Sequence, residues 1–216
     1  MTMTMRLKKL FAIVFIAACA GSAGAGGLES LESFIKTVKS ARTSFTQTVT
    51  MPAKEGKVAR VKTSSGIFEF ARPGRFKFVY QKPFEQTILA DGQTLWLYDV
   101  DLNQVTTRKQ AQALGSTPAA LIASAPDLRA LQADFGLASD GQTDGIDWVL
   151  ATPKAKDSSL QSVRVGFRTG ELVGLDILDS FGQMSALRFH AFQANIALGA
   201  ATFQFKTPAG ADIIRQ

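Results

Sequence analysis

Between Gly66 and Tyr80 the chain reads Gly-Ile-Phe-Glu-Phe-Ala-Arg-Pro-Gly-Arg-Phe-Lys-Phe-Val-Tyr. At the period of two that a strand imposes, Phe68, Phe70 and Arg72 fall on one face. Pro73-Gly74 marks a turn. Beyond it Phe76, Phe78 and Tyr80 line one face of a second strand, with Glu69, Arg75 and Lys77 opposite. Five aromatic rings and one guanidinium therefore point the same way. Water will not tolerate that face uncovered, so the hairpin must belong to a larger sheet with something packed over it. Either the arginine sits at the rim of a core, or the face is an apolar surface with a polar latch.

The same alternation recurs along the chain. Candidate strands are 43–51, 58–70, 75–80, 86–90, 94–98 and 104–108, then 134–138, 147–152, 160–168, 172–178 and 184–192, with a last short one around Phe203 and Phe205. Asp91-Gly92 and Asp99-Val100-Asp101 are turn signals between them. Two stretches break the pattern. Leu28, Leu31, Phe34, Ile35 and Val38 recur at helical spacing, which predicts an amphipathic helix over 28–40. Residues 109–131 are rich in Ala and Leu and interrupted by Gly115, Pro118 and Pro126. They predict two or three short helices, with Ser116 or Thr117 as an N-cap and Pro118 at the first helical position.

The expected fold is mainly β: about eleven short antiparallel strands forming a strongly curved sheet or partial barrel, with the helices covering its concave side. Sixteen Phe against two Tyr and two Trp fit that picture, because Phe supplies buried area with no polar atom to satisfy. The inward set contains Phe68, Phe70, Phe76, Phe78, Val163, Val165, Phe167, Leu187 and Phe189, joined by Trp96 if its strand is in register. Periodicity leaves two readings of this set. The helices fill the concavity as an ordinary core, or they close a lipid cavity with the segment 119–123, which includes Leu121 and Ile122, as a lid.

Residues 1–25 read as a signal peptide, leaving 26–216 as one domain. Arg6, Lys8 and Lys9 form a basic start, Leu10 to Ala20 is an apolar run too short to span a bilayer, and Ala23-Gly24-Ala25 is a cleavage signal. Removing this segment lowers Lys+Arg from 24 to 21 against 18 acidic residues, for a net charge of +3. So small an excess argues against nucleic acid as a partner. Cys19, the one cysteine, lies in the same segment. Ile16-Ala17-Ala18-Cys19 also resembles a lipobox, in which an acylated cysteine would anchor the chain to a membrane. Both readings take the protein out of the cytoplasm.

Catalytic signatures are missing. The one histidine, His190, alternates with Arg188 and Phe192 opposite Leu187, Phe189 and Ala191, as a solvent-facing strand residue would. There is no nucleophile elbow and no phosphate or dinucleotide fingerprint. Asp99 and Asp101, the nearest acidic pair, look like a hairpin turn rather than a metal site. No enzyme, cofactor or metal is implied, and a lipid hydrolase would need a nucleophile–base pair that the chain does not offer.

Ala71-Arg72-Pro73-Gly74-Arg75-Phe76-Lys77-Phe78, followed by Ile88 to Tyr98 (Ile-Leu-Ala-Asp-Gly-Gln-Thr-Leu-Trp-Leu-Tyr), resembles the periplasmic outer-membrane lipoprotein carrier family, LolA. Ser44-Phe45-Thr46-Gln47, Asp101-Leu102-Asn103-Gln104-Val105, Thr117-Pro118 to Leu121-Ile122 and Phe203-Gln204-Phe205-Lys206-Thr207-Pro208 match it in order, so the resemblance covers nearly all of residues 26–216. It implies an incomplete, unclosed antiparallel β-barrel with an α lid, over a hydrophobic cavity that is closed by short helices and holds the acyl chains of lipoproteins. Cargo would come from an inner-membrane ATP-driven complex and pass to an outer-membrane receptor, with the carrier a monomer in the periplasm. Arg72 would be the latch that hydrogen-bonds the lid, and Phe76 and Phe78 would flank the cavity. Members are soluble after export, which favours simple signal cleavage over the lipobox. The receptor shares the fold and is itself a lipoprotein, but lacks the Arg-Pro hairpin. A lipid-binding sensor on the same partial barrel is the other class of function left open.

Overall fold

A computed structural model describes residues 26–53, 58–111, 123 and 125–216. The predicted signal peptide with Cys19, and most of the segment 109–131, including Ser116, Thr117, Leu121 and Ile122, lie outside the described residues.

Helix α1 spans Gly27–Thr37 and buries Leu31, Phe34 and Ile35. It ends three residues before the predicted end because the chain turns extended at Val38, and Ser40 already belongs to the first strand. The strands are β1 Ser40–Met51, β2 Arg60–Ala71, β3 Arg75–Lys82, β4 Gln86–Ala90, β5 Thr94–Asp99 and β6 Gln104–Lys109. After helix α2, Leu128–Asp134, come β7 Phe135–Thr143, β8 Ile146–Pro153, β9 Leu160–Arg168, β10 Glu171–Asp179, β11 Met184–Ala194 and β12 Asp212–Arg215. All belong to one twelve-stranded sheet, in the order β12-β6-β5-β4-β3-β2-β1-β11-β10-β9-β8-β7. Its outermost strands, β12 and β7, are not neighbours, so the sheet is unclosed, as the sequence predicted.

Curvature follows from a single side chain. Phe34 of α1 lies with its ring 6.1 Å from Phe70 on β2 and 5.6 Å from Phe167 on β9. Those strands are four steps apart in the sheet. Laid flat at the usual spacing of about 4.8 Å, they would be roughly 19 Å apart. The sheet must therefore curl around the helix, and one continuous core forms on the concave face.

Eleven of the predicted strands are found within a few residues of their expected bounds. The last is not. Phe203 and Phe205 alternate as in a strand, but Ala200–Phe203 is a 3₁₀ turn whose amides bond locally, Thr202 N–H to Gly199 O and Gln204 N–H to Ala201 O. The twelfth strand is β12, which joins β6 in parallel with Ile213 opposite Val105. A second departure lies in β11. The β1 register jumps from Arg42↔Gln193 to Ser44↔His190, so Ala191 and Phe192 together oppose Thr43. This bulge holds Ala191 at φ +52° and reverses the alternation beyond it. Phe192 therefore turns to the core, 6.0 Å from the Phe34 ring, and does not share the outer face with His190.

Candidate functional site

The aromatic set assembles as its alternation predicts. Phe68 pairs with Phe78 and Phe70 with Phe76 across the hairpin. The Phe68 and Phe78 rings stack at 4.2 Å, and Phe68 lies 5.7 Å from Phe70 and 5.9 Å from Phe189. Phe45 of β1, which the sequence did not single out for the cavity, closes the row with edge contacts to Phe78 at 5.5 Å and Tyr80 at 5.1 Å. On the other wing of the curl, Val163 pairs with Ile177, Val165 with Leu175 and Phe167 with Leu172. Phe68, Phe70, Val163 and Phe167 are all 0 % exposed. Fully burying one such Phe contributes about 1.5–3 kcal/mol, so this face is also what holds the curled sheet together.

Trp96 corrects one expectation. It sits opposite Leu89, on the face away from Phe76 and Phe78. There its ring stacks on Phe205 at 4.8 Å and 12°, and its Nε1–H donates to Asp91 Oδ2 at 3.1 Å. The C-terminal stretch lays Phe203 and Phe205 over this outer face, and Leu89, Val105 and Phe203 are buried there outside the main core. One-residue alternation fixes relative faces within a strand, but not which face of the strand is inside. The Phe203–Phe205 spacing carried the signal for this second layer and reads as a strand in sequence. Asp91 is the anchor of the β4–β5 turn. Burial pushes its carboxyl up, but hydrogen bonds from the amides of Thr94 and Gln93 and from Trp96 outweigh that and hold it below the usual range.

Arg72 lies in the β2–β3 turn. Its amide donates to Lys39 O at 2.8 Å, its Nε–H to Val38 O at 2.9 Å and its Nη1 to Ala125 O at 3.0 Å. The guanidinium lies over the Phe34 and Phe70 rings at 5.6 and 5.4 Å. Nη2 is buried and has no hydrogen-bond partner among the described residues. Burial lowers the Arg72 pKa to about 10, which still leaves it charged at neutral pH. One side chain thus ties together the exit of α1, the hairpin and the segment before α2. The next contact along the turn has the same sense, since Gly74 N–H donates to Ala123 O at 2.9 Å. Buried Gln110 steadies the turn from behind: its Nε2 donates to Gly74 O at 2.6 Å, and its Oε1 accepts from Gly92 N–H at 2.9 Å. The sequence placed Arg72 on the aromatic face, but neither Ala125 nor Gln110 could be read from it, because both partners come from elsewhere in the chain.

Glu69 lies on the face opposite the aromatic row, as its alternation places it, and is buried there, accepting from Arg42 Nε at 2.7 Å. Asp99 is part of a turn, accepting from Leu102 N–H at 3.1 Å.

The curled, unclosed sheet thus carries a buried aromatic face, and at its edge Arg72 bonds to a carbonyl of a segment remote in sequence. The family model described as outer membrane lipoprotein carrier protein LolA matches residues 36–206. The chain belongs to the LolA family. Among named relatives, the outer-membrane lipoprotein carrier protein of Albidiferax ferrireducens is 68% identical over 212 residues, covering 96% of this chain and 100% of the relative. That of Leptothrix cholodnii is 53% identical over 173 residues, covering 80% of this chain and 78% of the relative. The carrier of Neisseria meningitidis serogroup B is 43% identical over 171 residues, covering 79% and 78%. The aromatic concavity and Arg72 form the candidate site.

Proposed function

We propose that this protein is a periplasmic carrier, not an enzyme, which binds the acyl chains of lipoproteins on its concave aromatic face. In this reading residues 1–25 direct export. The monomeric carrier receives cargo from an ATP-driven inner-membrane complex and delivers it to an outer-membrane receptor. The proposed lining is Phe68, Phe70, Phe76, Phe78, Val163, Val165, Phe167 and Phe189. Family membership supports the carrier role. The observation that carries the mechanism is the set of bonds from Arg72 to Val38 O and Ala125 O.

A carrier has to release what it binds. Each buried CH₂ contributes about 0.8 kcal/mol, so one long acyl chain contributes on the order of 10 kcal/mol. Release requires a competing state that is itself stabilised. A hydrogen bond from a charged group contributes about 1.5–3 kcal/mol, so the Arg72 bond to Ala125 O favours the covered state by about that much. Opening the face to admit a chain breaks it, and discharge restores it. Only this difference between the two states drives transfer.

The test is Arg72→Leu, followed by loading from inner-membrane vesicles and transfer to outer-membrane vesicles. Loading is expected to persist while transfer falls at least tenfold. Transfer at the wild-type rate would refute the latch.

A further inference from the structure

The concave face changes character along β3. From the Arg72 turn it runs through Phe76 and Phe78 to Tyr80, and beyond Tyr80 it becomes polar. Across the strands, Tyr80 lies opposite Gln86, and Gln86 opposite Asp99. On the other side Gln47 lies opposite Ser64, and Val49 opposite Lys62. Gln47, Lys62, Ser64, Tyr80, Gln86 and Asp99 therefore share the face that carries Phe68 and Phe78. With the β3–β4 turn, including Phe84 and Glu85, they line a cleft of about 490 Å³. That lies within the roughly 300–1,000 Å³ typical of ligand sites. Tyr80 joins the two zones: its ring packs against Phe45 and Phe78, and it also lines the cleft. Its hydroxyl has no hydrogen-bond partner among the described residues. Burial raises its pKa to about 12, so it is a neutral donor at physiological pH.

The charges in the cleft decide what fits. Lys62 is set against two carboxylates, Glu85 and Asp99. A phosphate would meet two like charges for one opposite charge. An uncharged group rich in carbonyls and amides meets donors in Lys62, Tyr80, Ser64 and Gln86 and acceptors in the carboxylates and amides. We propose that this cleft is a subsite for the neutral neck of the cargo, the glyceryl esters and first peptide bonds of an acylated N-terminus, and that it selects lipopeptides over phospholipids. The inference rests on the carrier reading above. It assigns to the cleft a discrimination that the aromatic face cannot make, since acyl chains are the same in both lipid classes.

The test uses two probes with matched octanoyl chains, an N-acetylated diacylglyceryl-cysteine peptide with a short neutral sequence and phosphatidylglycerol, with free decanoic acid as a single-chain control, all below their micelle concentration. Binding is followed by displacement of a fluorescent fatty acid. The wild type is expected to prefer the lipopeptide to phosphatidylglycerol at least tenfold. Tyr80→Phe, which keeps the ring and its packing, should weaken the lipopeptide about fivefold and leave decanoic acid unchanged. Glu85→Gln with Asp99→Asn should strengthen phosphatidylglycerol binding and narrow the preference. Equal wild-type affinity for the two headgroups overturns the subsite while the carrier reading stands, as does a Tyr80→Phe loss shared equally by decanoic acid. A wild type that binds none of the three probes overturns both.

Discussion

The two faces of the sheet each carry arginine against aromatic rings, and they use it differently. On the outer face Trp148 lies 4 % exposed between Arg164 and Arg188, whose guanidinium carbons sit 4.7 and 5.5 Å from its ring. Both arginines reach Asp176, and Arg164 also reaches Asp140. The ring has room because its floor is glycine: a Cβ on Gly166 would come within 2.8 Å of Trp148 and one on Gly174 within 3.2 Å. On the inner face Arg72 also lies over two rings, but its side-chain hydrogen bonds go to backbone carbonyls, one of them on a segment remote in sequence. An arginine paired with carboxylates on neighbouring strands is fixed by the sheet itself. Arg72 is bonded to one carbonyl at the exit of α1 and to one on a segment remote in sequence, so part of its hold depends on where that segment lies. Under the proposed function the first arrangement is a rivet and the second a latch.

That contrast can be broken most sharply at its two aromatic centres. Phe76→Glu would bury an unpaired carboxylate at a position 1 % exposed, so acyl loading should vanish and stability should fall by several kcal/mol. Loading at the wild-type level would place Phe76 outside the acyl site. Trp148→Ala should cost about 3–5 kcal/mol in chemical denaturation. Protein that remains folded should load and transfer as before, and a selective loss of transfer would erase the distinction between the faces. Arg72→Leu then gives the mirror result, a transfer defect larger than its stability defect.

The smallest expected effect concerns pH. Burial lowers the Arg72 pKa to about 10 in the fold, below that of an arginine in the unfolded chain. The unfolded state therefore binds more protons only between those two pKa values, and stability from this group rises with pH only across that window. Below it both states are protonated. Measured between pH 6 and 8, transfer should be flat with respect to the latch, and a dependence that Arg72→Leu abolishes would contradict this.

Much of this site was legible in the chain because strand alternation is local. Phe68, Phe70, Phe76 and Phe78 needed only a period of two and a Pro-Gly turn to be placed together. Trp96 and Phe192 show where that logic stops. For Trp96 the alternation within β5 was sound, but the face that became outer depended on the C-terminal stretch laying Phe205 against it. For Phe192 a single bulge at Ala191 reversed the alternation, and no turn residue announced it. Alternation put Glu69 on the correct face, but its burial depends on Arg42 from the neighbouring strand, which no local pattern marks.

By itself the sequence determined the curled antiparallel sheet, the aromatic face and the presence of an arginine on it, because hydrophobic period and turn chemistry act over a few residues. Tertiary structure alone decided what that arginine holds. Val38 O and Ala125 O lie 34 and 53 residues from Arg72 along the chain. They are backbone atoms, which every residue possesses, so no side-chain pattern could mark them in advance.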